Sequence, residues 1–179
     1  VALPDSLIDL ARWSGLMAGV VAMDAALHNG LCSVEAMEEA LERLPATARG
    51  GPRARQAVRL ADGRSESLGE SMSRVRMWEH RLPKPELQVS VRIGQELYIL
   101  DYYWPDHEVA GEFDGRVKYR SASFGQDPED VVWREKLRED ALRASGLTVA
   151  RWTWGQAWAD AGAQMLITKI GRASCRERV

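Results

Sequence analysis

Apolar residues recur at helical spacing through the first third of the chain and at strand spacing through its middle. Leu7, Ile8, Leu10 and Ala11 predict one helix, and Val20, Val21, Met23, Ala26 and Leu27 a second that Asn29-Gly30 stops. Ser33 is placed to cap a third, with Met37, Leu41 and Leu44 inward. Gly50-Gly51-Pro52 breaks the chain, and Pro52 opens a short basic helix carrying Arg53, Arg55 and Arg59. Ser67 and Glu70 make a capping box for a helix running to about Arg81. After Leu82-Pro83-Lys84-Pro85 the period drops to two, and the runs 86–92, 96–104 and 107–114 read as strands, with Gly94 at the first turn. Pro128 opens a long helix to about Ser145, with Trp133, Leu137, Ala141 and Ala144 on one side. Gly146 stops it, residues 147–153 form a fourth strand, and 155–168 read as helix.

The helix between the third and fourth strands has the length of a crossover, which makes that pair parallel. The expected fold is therefore α/β: a mixed sheet flanked by helices, preceded by a small helical segment. The expected divisions are a helical linker over 1–63 and a sheet domain over 64–168. Residues 169–179 resemble the translation of a sequencing-adapter read and are set apart from the fold. The chain opens on Val1 and not Met, and is expected to lack part of its N-terminus.

Charge sharpens this picture. The whole chain carries −2. The tail holds Lys169, Arg172, Arg176 and Arg178 against Glu177, so setting aside its net +3 leaves −5 for the body. A mildly acidic body does not hold nucleic acid through bulk charge, and any such contact needs a local basic patch. Cys32 and Cys175 are the two cysteines, so without the tail neither a disulfide nor a cysteine zinc site can form. His28, His80 and His107 show no ligand spacing. No apolar run approaches a membrane span, no signal peptide is visible, and a cytoplasmic location is expected.

The candidate chemistry lies in the second and third strands. Glu112 and Asp114 are two apart on one strand and point to one face, opposite Val109, Gly111 and Phe113. If Asp101 pairs across from them, three carboxylates converge, and they repel one another unless a cation lies between. That outlines a phosphodiester-cleaving site using Mg²⁺, or Mn²⁺ in its place. Asp114-Gly115 is also a turn signal, which ranks Glu112 above Asp114.

Taken together, Gly69-Glu70-Ser71, Leu100-Asp101-Tyr102, the run from Val109 to Tyr119, Arg138-Glu139-Asp140 and the run from Gly146 to Trp154 resemble a known superfamily. It is the PD-(D/E)XK, restriction-endonuclease-like superfamily, and within it the Vsr-like (very-short-patch-repair) branch. The segment from Leu7 to Asp62 resembles the helical linker that follows a winged helix in actinobacterial AbiEi-like regulators of type IV toxin–antitoxin systems. The resemblance implies Asp101 and Glu112 as metal ligands, joined by Glu70 from the first core helix and by Asp114. Glu70 also has a capping role available. The superfamily expects Lys where this chain has Asp114, and Lys118 or Lys136 would then position the attacking water. His107, in the turn beside these carboxylates, is a further proton-transfer candidate.

Arg74, Arg116, Lys118, Arg120 and Arg138 are candidates for contacting DNA phosphates. The alternative for these cations is a salt-bridged solvent face, because Glu129, Asp130, Glu135, Glu139 and Asp140 lie among them. Two functions follow from the resemblance. One is a metal-dependent DNA endonuclease acting in defence or repair. The other is a non-catalytic DNA-binding regulator or antitoxin built on a nuclease fold, with a cognate toxin and a winged-helix domain as partners.

Overall fold

The computed structural model describes residues 2–115, 128–158 and 164–169. The chain divides into two compact units, Val1–Glu79 and His80–Val179. The division expected from the sequence, at residue 63, lies one helix earlier.

The first unit is helical: α1 (Leu3–Ser14), α2 (Leu16–His28), α3 (Val34–Glu42), α4 (Gly51–Leu60) and α5 (Leu68–Glu79). Its core holds Leu7, Ile8, Ala11, Val20, Met23, Met37, Ala57 and Val75, drawn from all five helices. Small residues set the spacing: a Cβ on Gly19 would fall 2.5 Å from the Ala11 Cβ and 3.3 Å from that of Ala57. Leu10, one of the apolar residues that mark α1, is 36% exposed. The Ser33 Oγ caps α3 by accepting the Ala36 N–H. The capping box on α5 forms as expected: the Glu70 N–H donates to the Ser67 Oγ, whose hydroxyl donates to Glu70 Oε1 at 2.7 Å.

A buried ion pair crosses this unit. Asp24, 1% exposed in the middle of α2, accepts the Asp62 N–H at 2.7 Å and the Arg74 guanidinium at 2.8 Å. Arg74 also donates to the Leu60 carbonyl at 2.7 Å. Arg74, expected on a phosphate-binding rim, is therefore turned into the helical unit and engaged there. Burial pushes the Asp24 carboxyl above the usual carboxylate range, and Arg74 with the hydrogen bonds only partly offsets this.

The second unit holds four strands in the order β1 (Glu86–Ile93), β2 (Glu96–Trp104), β3 (Val109–Asp114) and β4 (Thr148–Thr153). β1 and β2 form a hairpin that pairs Ile93 with Glu96, and Gly94 takes φ 62° in its two-residue turn. A 3₁₀ turn over Pro105–His107 leads into β3, which is antiparallel to β2. The crossover helix α6 (Pro128–Ala144) then returns the chain so that β4 lies parallel to β3, from Val109 beside Thr148 to Asp114 beside Thr153. A Schellman bond from the Leu147 N–H to the Leu142 carbonyl ends α6, with Gly146 at φ 97°. α7 (Trp154–Trp158) follows, and residues 164–169 are helical. The expected mixed α/β fold with a leading helical segment is present. Lys169, grouped above with the tail, donates to the Val149 carbonyl at 2.5 Å.

Each sheet face has its own packing. Tyr102, Trp104 and Trp152 stack on one, and a Cβ on Gly111 would meet Trp104 at 2.9 Å and Trp152 at 3.0 Å. On the other, Leu142 of α6 packs with Ala110 and Val149. The apolar side of α6 does not face the sheet, since Trp133 is 58% and Leu137 49% exposed. The face turned to the sheet carries Glu135, Arg138, Glu139 and Leu142, whose charged members pair with charged strand residues.

Replacing Arg74 by Met leaves Asp24 buried without its cation, which is expected to cost roughly 3–5 kcal/mol at neutral pH. Urea denaturation measures it. The folded Asp24 carboxyl titrates above its unfolded value, so the loss is smallest below the unfolded value, near pH 3.9, and grows as pH rises through the folded value.

Candidate functional site

β3 is buried along both faces, and Glu112 is 6% exposed within it. An ionised carboxylate in that position needs a cation beside it. The parallel register sets Glu112 beside Arg151 of β4, and Arg151 Nη2 donates to Glu112 Oε2 at 2.5 Å. Arg138, descending from α6, brings Nη2 to 2.8 Å from Glu112 Oε1, an ion-pair contact outside hydrogen-bond angles. The carboxylate is thus held between two guanidinium groups. Glu135, at 3.2 Å, and Glu139, at 3.8 Å, contact Arg151 from the same helix. Burial by itself would lower the Arg151 pKa. Glu112 foremost, then Glu135 and Glu139, outweigh that and hold it above the ordinary arginine value.

Asp101 lies at the edge of this cluster. The β2–β3 pairing ends at Tyr102 opposite Gly111, and beyond it Asp101 Oδ2 accepts the Phe113 N–H at 2.9 Å. Its side chain supplies the acceptor that a ladder carbonyl would otherwise provide. Arg138 spans the same gap from the other side, donating to the Ile99 carbonyl at 2.5 Å. Arg138, expected to face DNA phosphates, is thereby turned onto the sheet and held by two partners.

The structure therefore brings Asp101 and Glu112 onto neighbouring strands, as expected, and adds two arginines. Asp114 ends β3, half-buried, beside Thr153. Glu70 stands in the first unit, where its Oε2 accepts the Glu66 N–H at 2.9 Å and its Oε1 the Ser67 hydroxyl. Lys136 is exposed on α6, its ammonium 5.8 Å from the centre of the Trp133 ring. Arg116, Lys118 and Arg120 lie outside the described residues. Among the described residues, no three His, Cys, Asp or Glu side chains come together to hold a metal ion.

Sequence reasoning missed Arg151. The signal for it was present, since an arginine at the inward register of Thr148-Val149-Ala150-Arg151-Trp152 must find an anion. It also passed over Asp24, whose signal is one carboxylate inside the apolar run from Val20 to Leu27.

Comparison with known proteins adds relatives without an assigned activity. The chain is 33% identical over 143 residues to two Mycobacterium tuberculosis proteins, MT2308 of strain CDC 1551 and Rv2248 of strain H37Rv, both described as uncharacterized. The match covers 79% of this chain, and the chain spans half the length of those relatives. No family model matches the chain. No solved structure matches it. Among the described residues no helix is long and apolar enough to cross a membrane.

The Glu112 pairing makes an expectation of definite sign. Glu112→Gln removes the anion between Arg138 and Arg151, and is expected to destabilise the protein by about 2 kcal/mol in denaturant melts. A carboxylate held close to other carboxylates would give the opposite sign, because its removal relieves repulsion.

Proposed function

We propose that the second unit is a restriction-endonuclease-like scaffold that does not cleave DNA, and that the protein acts in the cytoplasm as a DNA-binding regulator of the antitoxin type. The observation that carries this reading is the closure of Glu112 between Arg138 and Arg151. A nuclease ligand at this position must offer a carboxylate oxygen to Mg²⁺ or Mn²⁺. Here both oxygens face guanidinium groups, and a dication placed among them would meet two positive charges in a largely buried site. Asp101 spends Oδ2 on the Phe113 N–H. The residues present do not fit a catalytic dication.

What supports the nuclease-like ancestry of the scaffold is its wiring. An antiparallel meander leads through a crossover helix into a parallel strand, with carboxylates on the second and third strands. The lysine expected after Glu112 is Asp114 in this chain. Fold alone does not carry function, and the reading therefore rests on the Glu112 contacts. The relatives are twice as long as the matched stretch, which leaves room in them for a winged-helix reading module and a surface for a toxin.

The test is supercoiled plasmid incubated with Mg²⁺ or Mn²⁺ and wild type, Asp101→Ala or Glu112→Ala, each sample divided between a denaturing and a native gel. The expected result is retarded plasmid with no nicking above the protein-free control. Metal-dependent nicking that both substitutions abolish would overturn the reading in favour of an endonuclease. Absence of retardation would remove DNA as a partner of this stretch of the protein.

A further inference from the structure

The first unit carries a basic surface that this reading does not use. From Arg43 to Ala61 the chain holds five arginines and no acidic residue. Arg43 is tied to Asp5 at 2.7 Å, while no ion pair among the described residues holds Arg49, Arg53, Arg55 or Arg59. Arg49, Arg53 and Arg59 are exposed. Beside Arg49, Trp13, next to the last residue of α1, is 59% exposed.

The placement of these groups is built. Gly50 takes φ 77°, and a Cβ there would fall 2.7 Å from the Arg12 carbonyl oxygen, so the chain entering α4 passes directly against the end of α1. That contact lets Arg12 Nε donate to the Arg49 carbonyl at 2.9 Å and Arg53 donate to the Arg12 carbonyl at 3.2 Å. The Arg12 and Arg49 guanidinium groups then lie 5.1 Å and 5.8 Å from the centre of the Trp13 ring. Arg12 is the inner, supporting member, paired with Asp9. The outcome is an indole held out in solvent beside Arg12, which Asp9 pairs, and Arg49, which no acidic residue pairs among the described residues. A local positive surface on a chain of net negative charge attracts an anionic partner to that spot.

We propose that this face binds single-stranded nucleic acid, Trp13 stacking on an unpaired base while Arg49 and Arg53 take backbone phosphates. A planar aromatic group flanked by arginines matches that chemistry: every base offers a π-face, and the arginine fork fits a phosphate. An acidic polypeptide would use the arginines but would leave the indole without a stacking partner. The inference goes beyond the regulator reading, because it concerns the other unit and single strands in place of duplex. Nicking reports on the second unit and strand binding on the first, so either proposal can fail alone.

The experiment is fluorescence anisotropy of labelled oligothymidylate and oligouridylate of about 20 nucleotides with the full chain across a salt series. Both strands carry the proposed chemistry, and their parallel titrations tell DNA from RNA. Binding is expected to weaken with salt. The pair Arg49→Glu and Arg53→Glu is expected to weaken it at least about tenfold, and Arg49→Gln with Arg53→Gln to flatten the salt slope by about 0.7 per lost phosphate contact. Trp13→Ala should cost about fivefold or more while Trp13→Phe retains binding. Circular dichroism checks each variant's fold, and the glutamine pair carries the test if the glutamate pair unfolds. Three results would overturn the proposal: no binding of either strand, binding indifferent to the arginine and Trp13 variants, or competition by polyglutamate at equal charge, which would point to an acidic protein.

Discussion

A carboxylate in the middle of a buried strand is tolerated only beside a cation, and Glu112 occupies that position. The arrangement of the second unit follows from meeting this need. Parallel pairing of β3 with β4 brings Arg151 alongside, and the crossover helix brings Arg138 down from above. Glu135 and Glu139 then sit where they contact Arg151, so charge alternates from strand to strand to helix. α6 is held to the sheet by this alternating cluster at one end and by Leu142 at the other. The same requirement removes Glu112 from the open face where a catalytic ligand would be wanted.

The first unit meets a similar constraint with fewer groups. Asp24 sits among Val20, Met23 and Ala26 in a core made mostly of small and aliphatic side chains. Its partners come from the α4–α5 connection, through the Asp62 N–H, and from α5, through Arg74. Three segments are registered against one another by one carboxylate, in a core where close helix contact at Gly19 leaves little tolerance for slippage.

Much of the fold was legible in the chain. Hydrophobic alternation located β2 at its observed bounds, and Gly94 and Gly146 marked the hairpin turn and the end of α6. The capping box at Ser67 was readable because its chemistry is local. The orientation of α6 was not legible, for a physical reason. Periodicity arguments assume that the apolar stripe of a helix faces the core, and Trp133 and Leu137 form such a stripe. Here the inward stripe is charged because the sheet beneath it is charged, which only the β3–β4 register could disclose. Arg74 and Arg138 failed as surface cations on the same ground: the carboxylates that draw them inward are distant in sequence. The neighbouring placement of Asp101 and Glu112 was visible from strand period alone, whereas the cations around Glu112 were not.

The crossover between β3 and β4 also imposes an order on assembly. β1 and β2 meet through a two-residue turn and β3 joins through a 3₁₀ turn, so their pairing closes only short loops. β4 cannot pair until everything from Gly115 to Leu147 has been synthesised and closed into a large loop. Because the longer loop closes later, the meander can pair before Arg151 reaches its place beside β3. During that interval Glu112 stands hydrated at an unfinished sheet edge, and its charge discourages another strand from docking there until the proper neighbour arrives.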